Sequence, residues 1–189
     1  MNIKERVPIR DNPRLFDKAI ANIQQGLADN ISWLDYVFGR SERLVKMYNG
    51  KRVYTPNVYV GGNEYELLEP DSGIGNFCFF VLDEPQRVEY VVGETSEMKV
   101  PFSIIVWVDM RTINSEDTRD TESVKRQLLR CLNGAIWMRQ GSYRITKVWE
   151  RAENIFKGFS LDEIDNQFLM HPYCGWRFEG ELKVHDDCL

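Results

Sequence analysis

The segment from Val100 to Asp109, VPFSIIVWVD, constrains the fold more than any other part of the chain. In an extended strand successive side chains alternate faces, which puts Phe102, Ile104, Val106 and Val108 on one side and Ile105 and Trp107 on the other. A strand that is apolar on both sides must be covered on both, as a central strand beneath a helix is. A helix is predicted soon after it, from about Asp120 to Leu132. There Val124, Leu128, Cys131, Leu132 and Ala135 share one face, and Asn133-Gly134 is a good C-terminal stop. Cys131 lies on that face and is expected to be a buried, inert thiol.

A first helix is predicted from about Pro13 to Ala28, with Asn12 as N-cap and Pro13 at the first helical position. Leu15, Phe16, Ala19, Ile20, Ile23 and Leu27 give it one apolar face. From Trp33 to Val92 short β-rich runs alternate with turn chemistry. Asn49-Gly50 is a strong two-residue hairpin signal, because both positions tolerate positive φ. Gly61-Gly62-Asn63 reads as a second hairpin turn, and Pro56 between the two predicts an edge strand or a break. Phe77 to Leu82 is a short buried run and Tyr143 to Glu150 a further strand.

Ser160 to Glu163 has capping-box spacing, which predicts a short helix ending by about Met170, ahead of Pro172. The last strand, from about Gly175 to His185, alternates cleanly. Trp176, Phe178, Leu182 and Val184 face one way, while Arg177, Glu179, Glu181 and Lys183 are expected to meet solvent or a neighbouring subunit. The sum is an α+β fold: a mainly antiparallel sheet with an N-terminal and a central helix packed on it. At 189 residues the chain suits one domain over 1–189, with residues 31–75 as a hairpin arm or insertion.

Net charge is −5, from 29 acidic and 24 basic residues, and no basic run stands out along the chain, which argues against autonomous nucleic-acid binding. No stretch reaches the roughly 18 apolar residues of a membrane span. The polar start MNIKERVPIRDNPR does not read as a secretory signal. Cys78, Cys131, Cys174 and Cys188 are too few and too scattered for a disulfide scaffold, so free thiols in a reducing cytoplasm are expected.

Three patterns invite chemistry. His171-Pro-Tyr-Cys174 and His185-Asp-Asp-Cys188 supply two imidazoles and two sulfurs, the donor set of a tetrahedral zinc site. An extended strand between the pairs would hold them roughly 35 Å apart at about 3.3 Å per residue, so one subunit cannot close the site. Asp162, Glu163 and Asp165 form an acidic cluster, but carboxylates in the first turn of a helix are favoured by its dipole. Gly73-Ile-Gly75 precedes a strand, whereas a phosphate-cradling loop needs a helix N-terminus behind it. No nucleophile elbow is present, and no catalytic residue, metal site or cofactor is expected.

Four strings carry a resemblance: WLDYVFGR (33–40), NGKRVYTPNVYVGGNEY (49–65), AENIFKGFS (152–160) and DNQFLMHPYCGWRFEGEL (165–182). They resemble structural proteins of tailed phages and prophages of Bacteroides and relatives, of the head–tail connector or tail-terminator type. The resemblance implies a virion protein of the neck, assembled in the host cytoplasm as a homo-oligomeric ring between portal or adaptor proteins and the tail. It implies no enzymatic activity and only non-specific proximity to DNA in a channel. On this reading Tyr36, Phe38, Tyr48, Tyr54 and Tyr59 are the expected interface residues, the alternative being cross-strand pairs within one subunit. The rival functional class is a cytoplasmic binding or adaptor protein of a mobile element without a virion role.

Overall fold

The computed structural model describes residues 3–71, 73–90, 96–134, 137–138, 141–161 and 164–185. The elements follow as α1 (Leu15–Asn30), β1 (Tyr36–Arg40), β2 (Glu42–Tyr48), β3 (Lys51–Gly61), β4 (Glu64–Leu67), β5 (Phe77–Leu82) and β6 (Arg87–Tyr90). Then come β7 (Ser96–Asp109), α2 (Met110–Ile113), α3 (Thr121–Gly134), β8 (Trp137–Met138), β9 (Gly141–Trp149), α4 (Ala152–Ile155), a 3-10 turn (Asn166–Leu169) and β10 (Tyr173–His185).

The large sheet runs β1-β5-β7-β10-β9-β8, with β6 beside β5 on the same edge of β7. Only β1 and β5 pair in parallel; every other described pairing is antiparallel. β7 is central, as its doubly apolar sequence requires. Its Phe102, Ile104, Val106 and Val108 join Trp176, Phe178, Leu182 and Val184 of β10 beneath α1 and α3. Its Ile105 and Trp107 lie in a second apolar cluster on the other face, with Val58 and Val60 of β3, Phe77 and Phe79 of β5, and Ile155 and Phe156. Each such large side chain taken fully out of water contributes about 1.5–3 kcal/mol. The cover is therefore helical on one face and, on the other, a second sheet with the segment around α4.

That second sheet is the three-stranded meander β2-β3-β4. β1 and β2 are separated by Ser41 alone, so one continuous stretch of chain leaves the large sheet and enters the small one. The fold is the expected α+β type, with several local corrections. The first helix begins at Leu15, not Pro13: Asn12 and Leu15 take positive φ, and Arg14 precedes the helix without a side-chain cap. Pro56 sits inside β3, the middle strand, rather than at an edge or a break. Its carbonyl accepts from Leu68 N–H, just beyond the last residue of β4. A residue's N and O point to the same side of a strand, so the missing proline donor falls where pairing with β4 stops.

Ser160 opens no helix. Its Oγ and N–H both bond to Tyr54 of β3, and among the described residues of this stretch the helical turn is the 3-10 segment, with Asp165 accepting from Gln167 N–H. Ala135, Asp162, Glu163 and Cys188 lie outside the described residues.

Candidate interaction site

The β2–β3 hairpin is the candidate functional surface. Its turn is Asn49-Gly50, with φ of 48° and 77°, the left-handed pair that a two-residue hairpin with strand-matched twist requires. The root of the hairpin is anchored. Val53 and Thr55 are buried, and Ser160 accepts from Tyr54 N–H at 3.0 Å while donating its own N–H to Tyr54 O at 2.7 Å. Toward the turn the apolar side chains stand in solvent: Leu44 is 48% exposed, Val45 52%, Met47 66% and Tyr48 43%.

The outer edge of the hairpin follows from the ladder. Tyr54 gives both backbone groups to Ser160, so its partner across the hairpin, Val45, lies in a pair that exchanges no bonds with β3. By alternation Arg43, Val45 and Met47 point their N–H and C=O groups away from β3, along an edge where β2 is the terminal strand. A strand with an open edge is a template for pairing with another chain.

The hairpin is also basic. Its strands hold Arg43, Lys46, Lys51 and Arg52 against the single carboxylate of Glu42, with Arg40 at the end of β1 just before them, in a chain of net charge −5. Linear reading missed this cluster because the five cations are spread over thirteen positions and gather only when the hairpin folds. The guanidinium of Arg43 lies 3.9 Å from the centre of the Tyr54 ring, which holds the charge on the same face as Val45 and Met47.

The five expected interface residues divide. Tyr48 is exposed near the turn, and Tyr54 is half-buried under Arg43. Tyr36 is half-buried and stacks on Phe38 at 5.6 Å between ring centres. Phe38 is fully buried and Tyr59 is 7% exposed, so these two rings belong to the core of one subunit. Alternation on a strand marks two faces without saying which is covered, and the second sheet covers this one.

The described residues of the other patterns have these surroundings. His171 Nε2 lies 3.0 Å from Thr118 Oγ1, and His185 Nδ1 is 3.7 Å from Glu97. Among the described residues no group of three or more His, Cys, Asp or Glu side chains is placed to hold a metal. Burial pushes the thiols up: Cys174 to about 12, Cys131 and Cys78 in the same direction, with Cys131 Sγ directed at Gly26 O. The Gly73–Gly75 loop is a turn held by Asp71, whose Oδ1 accepts from the N–H groups of Gly73 and Ile74.

Two polar centres were not legible in the sequence. Arg177, expected on an exposed face, is 1% exposed. It donates to Glu179, Asp83 and the carbonyls of Ile155 and Lys157, and so clamps the segment after α4 onto β10. Asn76 joins three parts of the chain: its Nδ2 donates to Trp33 O and Thr112 Oγ1, and its Oδ1 accepts from Asp109 N–H.

No protein-family profile matches the chain, and a comparison with curated proteins returns no match. Among the described residues no helix is long and apolar enough to cross a membrane.

Proposed function

We propose that the chain is a structural protein of the head–tail joining region of a tailed bacteriophage, a ring subunit of tail-terminator or connector type. It acts by packing against copies of itself and by docking neck and tail proteins. The observation that carries this reading is the β2–β3 hairpin: anchored at its root by Ser160, apolar toward its turn, and open along one edge. A ring subunit needs surfaces that repeat head to tail and close by rotation, and a projecting hairpin is suited to reach a neighbour. The four strings that resemble phage structural proteins support the same reading, and one of them, 49–65, spans the turn of the hairpin and β3. Two measurements test it together: negative-stain electron microscopy of the purified protein, and quantitative mass spectrometry of purified particles. Rings, and a fixed low copy number in the virion, are expected. A protein that stays monomeric and is absent from particles overturns the proposal.

A further inference from the structure

We infer that the two edges of the small sheet bind each other between copies of this chain, the basic β2 edge of one subunit adding to the acidic β4 edge of the next. The inference rests on the ring reading above and names the contact between its subunits.

The first support is that both edges are open in kind. β2 and β4 are the terminal strands of the meander. Arg43, Val45 and Met47 point their backbone groups outward from β2. On the other side Leu68 N–H donates to Pro56 O, which fixes the phase of the β3–β4 ladder. Leu67 and Tyr65, opposite Asn57 and Tyr59, therefore direct their N–H and C=O groups away from β3. Each edge thus offers donors and acceptors that a second strand can satisfy.

The second support is charge. The five cations of residues 40–52 end at Arg52, and no lysine or arginine follows until Arg87. Within that interval β4 and the residues after it carry Glu64, Glu66 and Glu69. On β2 Arg43 and Lys46 outnumber Glu42, with Lys51 and Arg52 beside them on β3, whereas β4 carries Glu64 and Glu66, so the β2 side of the small sheet is the basic one and the β4 side the acidic one. Copies laid edge to edge in the same sense bring opposite charges together, whereas β2 against β2 or β4 against β4 brings like charges together. That asymmetry selects a head-to-tail contact, the kind that closes into rings. Pairs inside one subunit, Lys4 with Glu64 at 3.0 Å and Lys46 with Glu69 at 3.9 Å, are partly exposed, and such pairs contribute little.

The third support is the apolar side chains. A few strand bonds bury far less than the roughly 1,200–2,000 Å² of a stable interface, so neighbouring side chains must pack as well. Val45 and Met47 beside the basic edge, and Tyr65 (43% exposed) on the acidic strand, supply that surface.

Sedimentation velocity on the full chain tests the contact with three variants. Val45→Pro removes an N–H that points away from β3, so the hairpin keeps its ladder while strand addition is blocked. A monomer with unchanged circular dichroism is expected. The charge reversals Arg43→Glu with Arg52→Glu, and Glu64→Lys with Glu66→Lys, should each abolish the oligomer alone. Mixed in equal amounts they should restore it, because every edge then meets its complement. A mixture that stays monomeric, or a folded Val45→Pro protein that assembles like the wild type, overturns the edge contact and leaves the ring reading standing. A wild-type protein that is monomeric at every concentration and absent from particles overturns both.

Discussion

Ser160 and Tyr54, 106 positions apart, share two hydrogen bonds: Tyr54 N–H to Ser160 Oγ at 3.0 Å and Ser160 N–H to Tyr54 O at 2.7 Å. The serine takes over the side of β3 that β4 leaves beyond Pro56, so the root of the hairpin is satisfied although one neighbour strand is short.

Replacing Ser160 by alanine leaves Tyr54 N–H without its acceptor in a half-buried place. A net hydrogen bond is worth about 0.5–1.5 kcal/mol, and a buried donor left alone costs about 1–3 kcal/mol. The Ser160→Ala protein should lose about 1–2 kcal/mol. Urea unfolding should show a lower midpoint with an unchanged slope, and an unchanged midpoint would refute the role.

Arg177 has more at stake. Its side chain is 2% exposed and its partners are two carboxylates, Asp83 at 3.2 Å and Glu179 at 3.1 Å, and two carbonyls. Removing one member of a buried pair typically costs about 3–5 kcal/mol, because the remaining charge keeps its desolvation. Asp83 is partly solvated, so the low end of that range is expected for Arg177→Leu. Lysine cannot reach four acceptors with a single ammonium, so Arg177→Lys should recover little of the loss. Thermal melts of both variants check this.

How much of this was legible in the sequence depended on how local the cause was. Asn49-Gly50 declared its turn because positive φ is a property of the two residues themselves. The strand 100–109 declared a covered sheet because both its faces are apolar. Arg177 did not declare its burial: alternation along β10 separates two faces, and only the path of residues 150–161 over one of them covers it. Ser160 matched a capping box locally, yet its hydroxyl serves a strand more than a hundred residues away. Asn76 carried no signal of its own, because its partners at Trp33, Asp109 and Thr112 meet only when the chain folds around it. The opposite charges of the small sheet were present in the order of residues, but they became edges only once the meander set β2 and β4 on either side of β3.

Gly75 is fixed by backbone and space together. Its φ is +81°, and a Cβ there would stand 2.5 Å from Asp35 Oδ2, the atom that accepts from Asn76 N–H. Gly75→Ala combines left-handed strain of about 1–2 kcal/mol with displacement of that carboxylate. A drop in melting temperature is expected, whereas Gly26→Ala, at a helical position with nothing within 4 Å of the added carbon, should raise it. Equal melting temperatures for the two variants would refute it.

The last prediction concerns pH. Glu97 on β7 gathers Lys99 at 3.0 Å, His185 at 3.7 Å and Lys183 at 3.8 Å. The hydrogen bond from Lys99 holds its carboxyl below the ordinary glutamate value, Lys183 and His185 act the same way, and partial burial opposes them. A carboxyl whose folded pKa is depressed adds stability above its unfolded pKa, about 4.3, and loses it as the pH falls through the folded value. The wild type should therefore weaken from about pH 5 downward. Glu97→Gln removes this proton from the balance, so its melting temperature should fall less steeply than the wild type's between pH 5 and 3. The two proteins should differ most near neutrality and converge in acid. Melting curves at half-unit intervals measure the convergence, and parallel curves for the two proteins would show that Glu97 titrates alike in the folded and unfolded chains.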